Sequence, residues 1–341
     1  MSLLKARRQF KPMHYPEAFE HWDRHDKMVW HWDEVPLASD IEDYTKASVQ
    51  EAEFIRNVMR LFTQNDVEVA HGYDVLLRIF KPVEVTMMLR GNADRENTHI
   101  SAYSLFTESL GLDGEFYGEY LEDPIMADKI DFVEKAQVLK YEEYEKDYYT
   151  TNTNKTLTEY ISYRYRQDIM YMLAVYAGLT EGVSLFAQFA MLLLYQKENK
   201  YKGLCTIVEW SIKDEEQHVQ SNSWLFRTFV KENLDVFDDT IKRRIYQGAR
   251  DLVEKECNLI DELNPPHIDK EVMKEYVKYI TDQRLKLLGF KANYDIEKNP
   301  IPFMDEITEA VVLTNFFEGK VTEYTQNATK GTWDEVRNNT Y

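Results

Sequence analysis

Glu96 and His99 stand three residues apart, and so do Glu215 and His218. On an α-helix such a pair shares one face, about 60° apart around the axis. A carboxylate and an imidazole can then point at one metal ion. Two helices of this kind, with one Asp or Glu from each of two others, form a dinuclear metal site inside a four-helix bundle, the ligand set of carboxylate-bridged dimetal proteins. Mixed oxygen and imidazole ligands suit iron or manganese, so the chemistry implied is oxidation.

Spacing alone is a weak signal, because Glu68 and His71 show it too. The helical pattern separates the three pairs. A helix over 46–80 has the apolar stripe Ile55, Met59, Phe62, Asp66, Val69, Tyr73, Leu76, Phe80, with Asp66 its one charge. Glu68 and His71 lie off that stripe, about 200° and 140° away from Asp66, and are expected to face solvent or a neighbouring element. A second helix, from Pro82 to about Leu110, has the stripe Val85, Leu89, Asn92, Glu96, His99, Tyr103, Phe106, Leu110. A helix over about 203–229 has Leu204, Val208, Ser211, Glu215, His218, Asn222, Leu225. Both surviving pairs therefore replace apolar residues on core-facing stripes.

The fourth helix comes from the run Met170–Tyr195, whose only charge is Glu181. Its length would span a bilayer. Thr180, Glu181, Ser184 and Gln188 in its middle favour a helix buried in the protein. Asp66, Glu96, His99, Glu181, Glu215 and His218 thus fall on the apolar faces of four helices. Burying so many ionisable groups costs several kcal/mol per ion unless something compensates them. Two divalent cations would balance four carboxylates. Taken singly, each residue also fits a hydrogen-bonded core histidine or a buried ion pair. Tyr103 lies one turn after His99, where a phenol could lose an electron to an oxidised centre; it also fits an ordinary core tyrosine.

The rest of the chain frames these helices. It has 341 residues, few Gly (12) and Pro (9), and no defensible strand, which favours an all-α fold. The expected order is an irregular segment over 1–45, a helical domain over 46–318 and a flexible tail over 319–341. Further helices are expected at about 125–149, 155–176, 237–264, 269–288 and 304–317. The net charge of −19 argues against a nucleic-acid partner. Two cysteines, Cys205 and Cys257, without ligand-like spacing suit a reducing compartment, here the cytoplasm. They also leave any dithiol chemistry to a partner.

At the ligand residues the chain resembles the small, radical-generating subunit of class I ribonucleotide reductase. The likeness covers about 28–325. It includes Thr63-Gln64-Asn65-Asp66-Val67-Glu68-Val69, Glu96-x-x-His99-x-x-x-Tyr103, Lys213-Asp214-Glu215-x-x-His218, Tyr276-Val277-x-Tyr279-Ile280-Thr281-x-x-Arg284 and Asn299-Pro300-Ile301-Pro302. The resemblance implies a ferritin-like bundle with additional helices and two metal ions per chain, iron first, with manganese or a mixed pair as alternatives. Asp66, Glu96 and His99 would hold one ion, and Glu181, Glu215 and His218 the other, with Glu96 and Glu215 bridging. The centre would oxidise Tyr103 to a radical. The oxidising equivalent would pass through His99, Asp214 and Trp30, and through Tyr324 in the tail, to a large subunit that reduces ribonucleoside diphosphates. A homodimer is implied, with the large subunit docked by the tail and an activating flavoprotein if the metal is manganese. Competing readings are another dimetal oxidase on the same fold, such as a ligand-binding oxidase, monooxygenase or desaturase; a metal store; and a purely structural helical protein.

Overall fold

A computed structural model describes residues 2–112, 114–118, 122–137, 139 and 141–308. The chain divides into one unit over Met1–Pro302 and a second over Phe303–Tyr341. In the second unit residues 303–308 are described, and they are helical. No strand occurs among the described residues.

Four long helices carry the first unit. α3 (Val49–Ile79) begins where Ser48 Oγ accepts from the Glu51 amide, a hydroxyl cap on one of the helix's free N–H groups. It ends just ahead of Pro82, which caps the start of α4 (Val83–Ser109). α3 and α4 form an antiparallel hairpin and bury the two stripes read above. α10 (Lys202–Glu232) supplies the third wall. Its N-terminal amides at Gly203 and Leu204 donate to the buried carboxylate of Asp40.

The fourth wall is a continuous helix. α8 (Leu157–Tyr171), opened by a Thr156/Glu159 capping box, runs into a π-helical stretch, Met172–Leu185, and then into α9 (Phe186–Leu193). Every residue of the π stretch is buried. Thr180 Oγ1 donates to the Val175 carbonyl five residues back, which satisfies a carbonyl in the widened helix. Such wide turns recur at functional sites, and Glu181 sits in this one. The Tyr176 ring fills the space where a Cβ on Gly72 would lie, and its hydroxyl donates to the Val69 carbonyl. That close approach locks the π stretch against α3. The helix is long and apolar enough to cross a membrane, but its most apolar window is wholly buried in the protein.

Shorter elements close the ends and sides. α1 (Pro16–Asp26) packs on α4 and α10, and α2 (Ala38–Thr45) on α10. α5 (Glu115–Gly118), α6 (Pro124–Gln137) and α7 (Tyr141–Thr150) follow α4. α11 (Asp239–Leu263) and α12 (Lys270–Leu288) cover the π stretch from outside.

Three expectations need correction. The stretch before residue 46 is not irregular throughout, since it contains α1 and α2. α1 buries only Ala18 and His25, too few apolar residues to print a helical stripe. The helix expected over 125–149 is two, α6 and α7, with residue 139 between them non-helical. The break expected near 176 is absent, because the π turns carry the backbone bonds through. Of the short helix expected at 304–317, residues 304–308 are helical and the rest lies outside the described residues.

Candidate metal centre

Asp66 (α3), Glu96 and His99 (α4), Glu181 (π stretch), and Glu215 and His218 (α10) converge in the centre of the four-helix core, each at most 1% exposed. Ligand atoms of Asp66, Glu96 and His99 lie within 4.8 Å of one another, as do those of Glu96, Glu215 and His218. Glu96 belongs to both groups, and the carboxylates of Glu96 and Glu215 both lie between the imidazoles. Glu96 places Oε2 3.6 Å from His99 Nδ1 and Oε1 3.1 Å from His218 Nδ1. Glu215 places Oε1 3.2 Å from His99 Nδ1 and Oε2 3.3 Å from His218 Nδ1. Glu181 Oε2 is 3.8 Å from His218 Nδ1 and accepts from Tyr73 Oη (3.1 Å) and Asn222 Nδ2 (3.2 Å).

These groups are close without being hydrogen-bonded to one another. Among the described residues, Asp66 Oδ2, Glu181 Oε1, both oxygens of Glu96 and of Glu215, and both nitrogens of His218 lack a hydrogen-bond partner. Each such buried orphan costs about 1–3 kcal/mol, more when charged. So dense a cluster of inward-facing oxygen and imidazole donors fits metal ions, which would engage the same lone pairs. The electrostatics agree. Burial, then the neighbouring Glu96, pushes the Asp66 carboxyl well above the usual carboxylate range. Burial does the same to Glu181, opposed by His218. Burial pushes both imidazoles down, but His99 is driven well above the ordinary value by hydrogen bonding to Asp214, and His218 by the charge of Glu215. Glu215 moves the other way: against its burial, His218 and then His99 hold it low.

His99 turns outward as well as inward. Its Nε2 lies 3.2 Å from Asp214 Oδ2, which also accepts from Trp30 Nε1 at 2.8 Å. That contact leaves Nδ1 as the atom facing the carboxylates. The Trp30 ring stacks on the His99 ring with centroids 5.9 Å apart. Asp214 Oδ1 is 3.2 Å from His25 Nε2 and 3.8 Å from Arg95 Nε. Burial pushes the Asp214 carboxyl up, yet His25 and His99 hold it far below the usual range. Tyr103, buried on α4, donates to Ser211 Oγ at 2.9 Å. Its ring centroid is 5.0 Å from that of Phe62 and 6.5 Å from that of His99.

The third Glu-x-x-His pair stays outside. His71 is 67% exposed and 3.8 Å from Glu68, which Gln64 also contacts. Tyr324 lies outside the described residues. Sequence reasoning missed His25 as a contact of Asp214, because it sits on a helix that was not expected. It also left unassigned the polar residues Asn92 and Asn222, whose places on core stripes were a usable signal. Both amides donate to Tyr73 Oη, beside Glu181.

A family model described as the small chain of ribonucleotide reductase matches residues 7–300. The probable ribonucleoside-diphosphate reductase small subunit 376L of Invertebrate iridescent virus 6 is 35% identical over 368 residues, covering 99% of each chain. Among solved structures, the ribonucleotide reductase R2 subunit from Clostridium botulinum superposes with a TM-score of 0.74 at 17% identity, over 89% of this chain and 91% of that one. The dimanganese(II)-NrdF of Streptococcus sanguinis gives a TM-score of 0.68 at 16% identity, over 89% and 99%. The chain belongs to the ribonucleotide reductase small-chain family, and its fold is the ferritin-like all-α bundle of those structures. It is the small, radical-generating subunit of a ribonucleoside-diphosphate reductase.

Proposed function

We propose that Asp66, Glu96, His99, Glu181, Glu215 and His218 hold two divalent metal ions, with Glu96 and Glu215 shared between them, and that Tyr103 is the residue oxidised to a radical. The observation that carries this reading is the crossed placement of the two shared carboxylates. Each offers one oxygen to His99 and the other to His218. Once loaded and exposed to an oxygen-derived oxidant, such a pair supplies one-electron oxidising power to a phenol nearby. Iron and manganese both suit the donor set. The dimanganese centre named for the Streptococcus sanguinis protein makes manganese a concrete alternative to iron.

This chain's residues do the rest. Helix α4 puts Tyr103 one turn from His99 on the same face, in surroundings that exclude water. Burial pushes the Tyr103 hydroxyl up, so the phenol stays protonated until it is oxidised. Asp214 ties His99 to Trp30, and Trp30 is only 8% exposed. An electron can therefore enter the core through Trp30, Asp214 and His99 as the oxidising equivalent passes outward. Tyr324, in the tail, is assigned the next transfer, to a large subunit that binds the ribonucleotide and completes its reduction. The functional small chain is a homodimer that the large subunit engages through the tail.

Electron paramagnetic resonance tests the assignment of Tyr103. Metal-loaded, oxygen-exposed protein should show a tyrosyl radical that disappears in Tyr103→Phe, with both metals retained. A radical surviving unchanged in that variant would sink the assignment.

A further inference from the structure

One turn from the metal ligands, three helices contribute to a second layer. Phe62 stands four residues before Asp66 on α3, Tyr103 four after His99 on α4, and Ser211 four before Glu215 on α10. Ser211 is fully buried. A hydroxyl there is costly unless it is paired. Several other buried helix hydroxyls donate to a carbonyl of their own helix, Thr63, Thr107 and Thr281 to the one four residues back and Ser221 to the one three back. Ser211 instead accepts from the Tyr103 phenol at 2.9 Å. Asp66 Oδ2, a carboxylate oxygen of the same centre, has no hydrogen-bond partner among the described residues.

We propose that Ser211 is the positioning residue of the Tyr103 radical: its hydroxyl accepts the phenol's hydrogen before oxidation and turns to donate its own hydrogen to the phenoxyl oxygen afterwards. This rests on Tyr103 being the radical site. A neutral phenoxyl oxygen can only accept. A serine hydroxyl is both donor and acceptor and reverses by rotating one bond. An ionised carboxylate in its place could serve the phenol but not the radical. In the oxidation itself the phenol's electron and proton pass to the oxygen-derived oxidant at the loaded centre; Ser211 adds no step to this, but holds the oxygen on either side of it and fixes the ring's orientation.

High-field electron paramagnetic resonance and deuterium double resonance on the metal-loaded full chain test this. In wild-type protein exchanged into heavy water, a deuteron coupling to the phenoxyl oxygen is expected. Ser211→Ala should lose that coupling and raise the g-component along the C–O bond. Ser211→Thr should restore both. Absence of an exchangeable coupling in the wild-type radical overturns the proposal, even if the variants fail to load metal. So does a Ser211→Ala spectrum identical to wild type. A radical persisting in Tyr103→Phe defeats the premise instead, whereas its loss there with an unaltered Ser211→Ala spectrum defeats Ser211 alone.

Discussion

The two halves of the centre carry matching ligands and opposite surroundings. Around His99, polar contacts lead away from the core: Nε2 meets Asp214, Asp214 accepts from Trp30, and Tyr103 lies one turn along the same helix. Around His218, they turn back on themselves. Its Nε2 has no hydrogen-bond partner among the described residues, and the His25 ring lies edge-on at 5.0 Å. Its neighbour Glu181 is held by Tyr73 and Asn222 inside a π stretch. In the proposed reading, one half exports the oxidising equivalent. The other is built around a carboxylate on a helix segment whose hydrogen-bond pattern is already altered. Identical ligand chemistry therefore does not make the halves interchangeable; the residues one contact further out divide the labour.

The largest expected effect comes from cutting the exported line while sparing its counterpart. Asp214→Asn replaces a carboxylate that meets three donors with an amide that has one oxygen and its own N–H groups. Nucleotide reduction with the large subunit should fall about 100-fold, the upper end for partners of metal ligands, with two metals per chain retained. Asn222→Ala, on the other side, should weaken metal binding about 10-fold and leave the Trp30 line intact. Equal effects of the two variants on both readouts would abolish the distinction.

How much of this was legible in sequence follows the same divide. The six proposed ligands stand out in sequence because each puts a charge or imidazole on an otherwise apolar stripe, and α3, α4 and α10 are long enough for the stripe to repeat. Their shared centre was inferable because burial of so many charges demands compensation. The π stretch was not legible. Apart from Thr180, Glu181 and Ser184, Met172–Leu185 is apolar and wholly buried, so no repeating stripe marks where the helix widens. His25 was hidden for the opposite reason, since α1 is a charged helix with almost no buried face. The hydroxyl of Ser211 was visible on its stripe, but only the helix packing brings it to Tyr103.

A smaller effect lies in the pH dependence of metal uptake, which both halves should share. Burial raises the carboxyls of Asp66 and Glu181, and His99 and His218 stand above 6.5 because Asp214 and Glu215 hold their protons. Each metal must displace protons from its ligands. Affinity should therefore rise as pH is raised through and above 6.5, with protons released on binding, measurable by calorimetry in buffers of differing ionisation enthalpy. PH-independent uptake would mean that the ligands are already deprotonated in the metal-free protein.

Anomalous scattering at the iron and manganese edges, from crystals of protein loaded with both metals, tests the central claim most directly. Two peaks are expected, one on the Asp66–His99 side and one on the Glu181–His218 side, with Glu96 and Glu215 between them. A single peak, or peaks outside this six-residue cluster, would contradict the account.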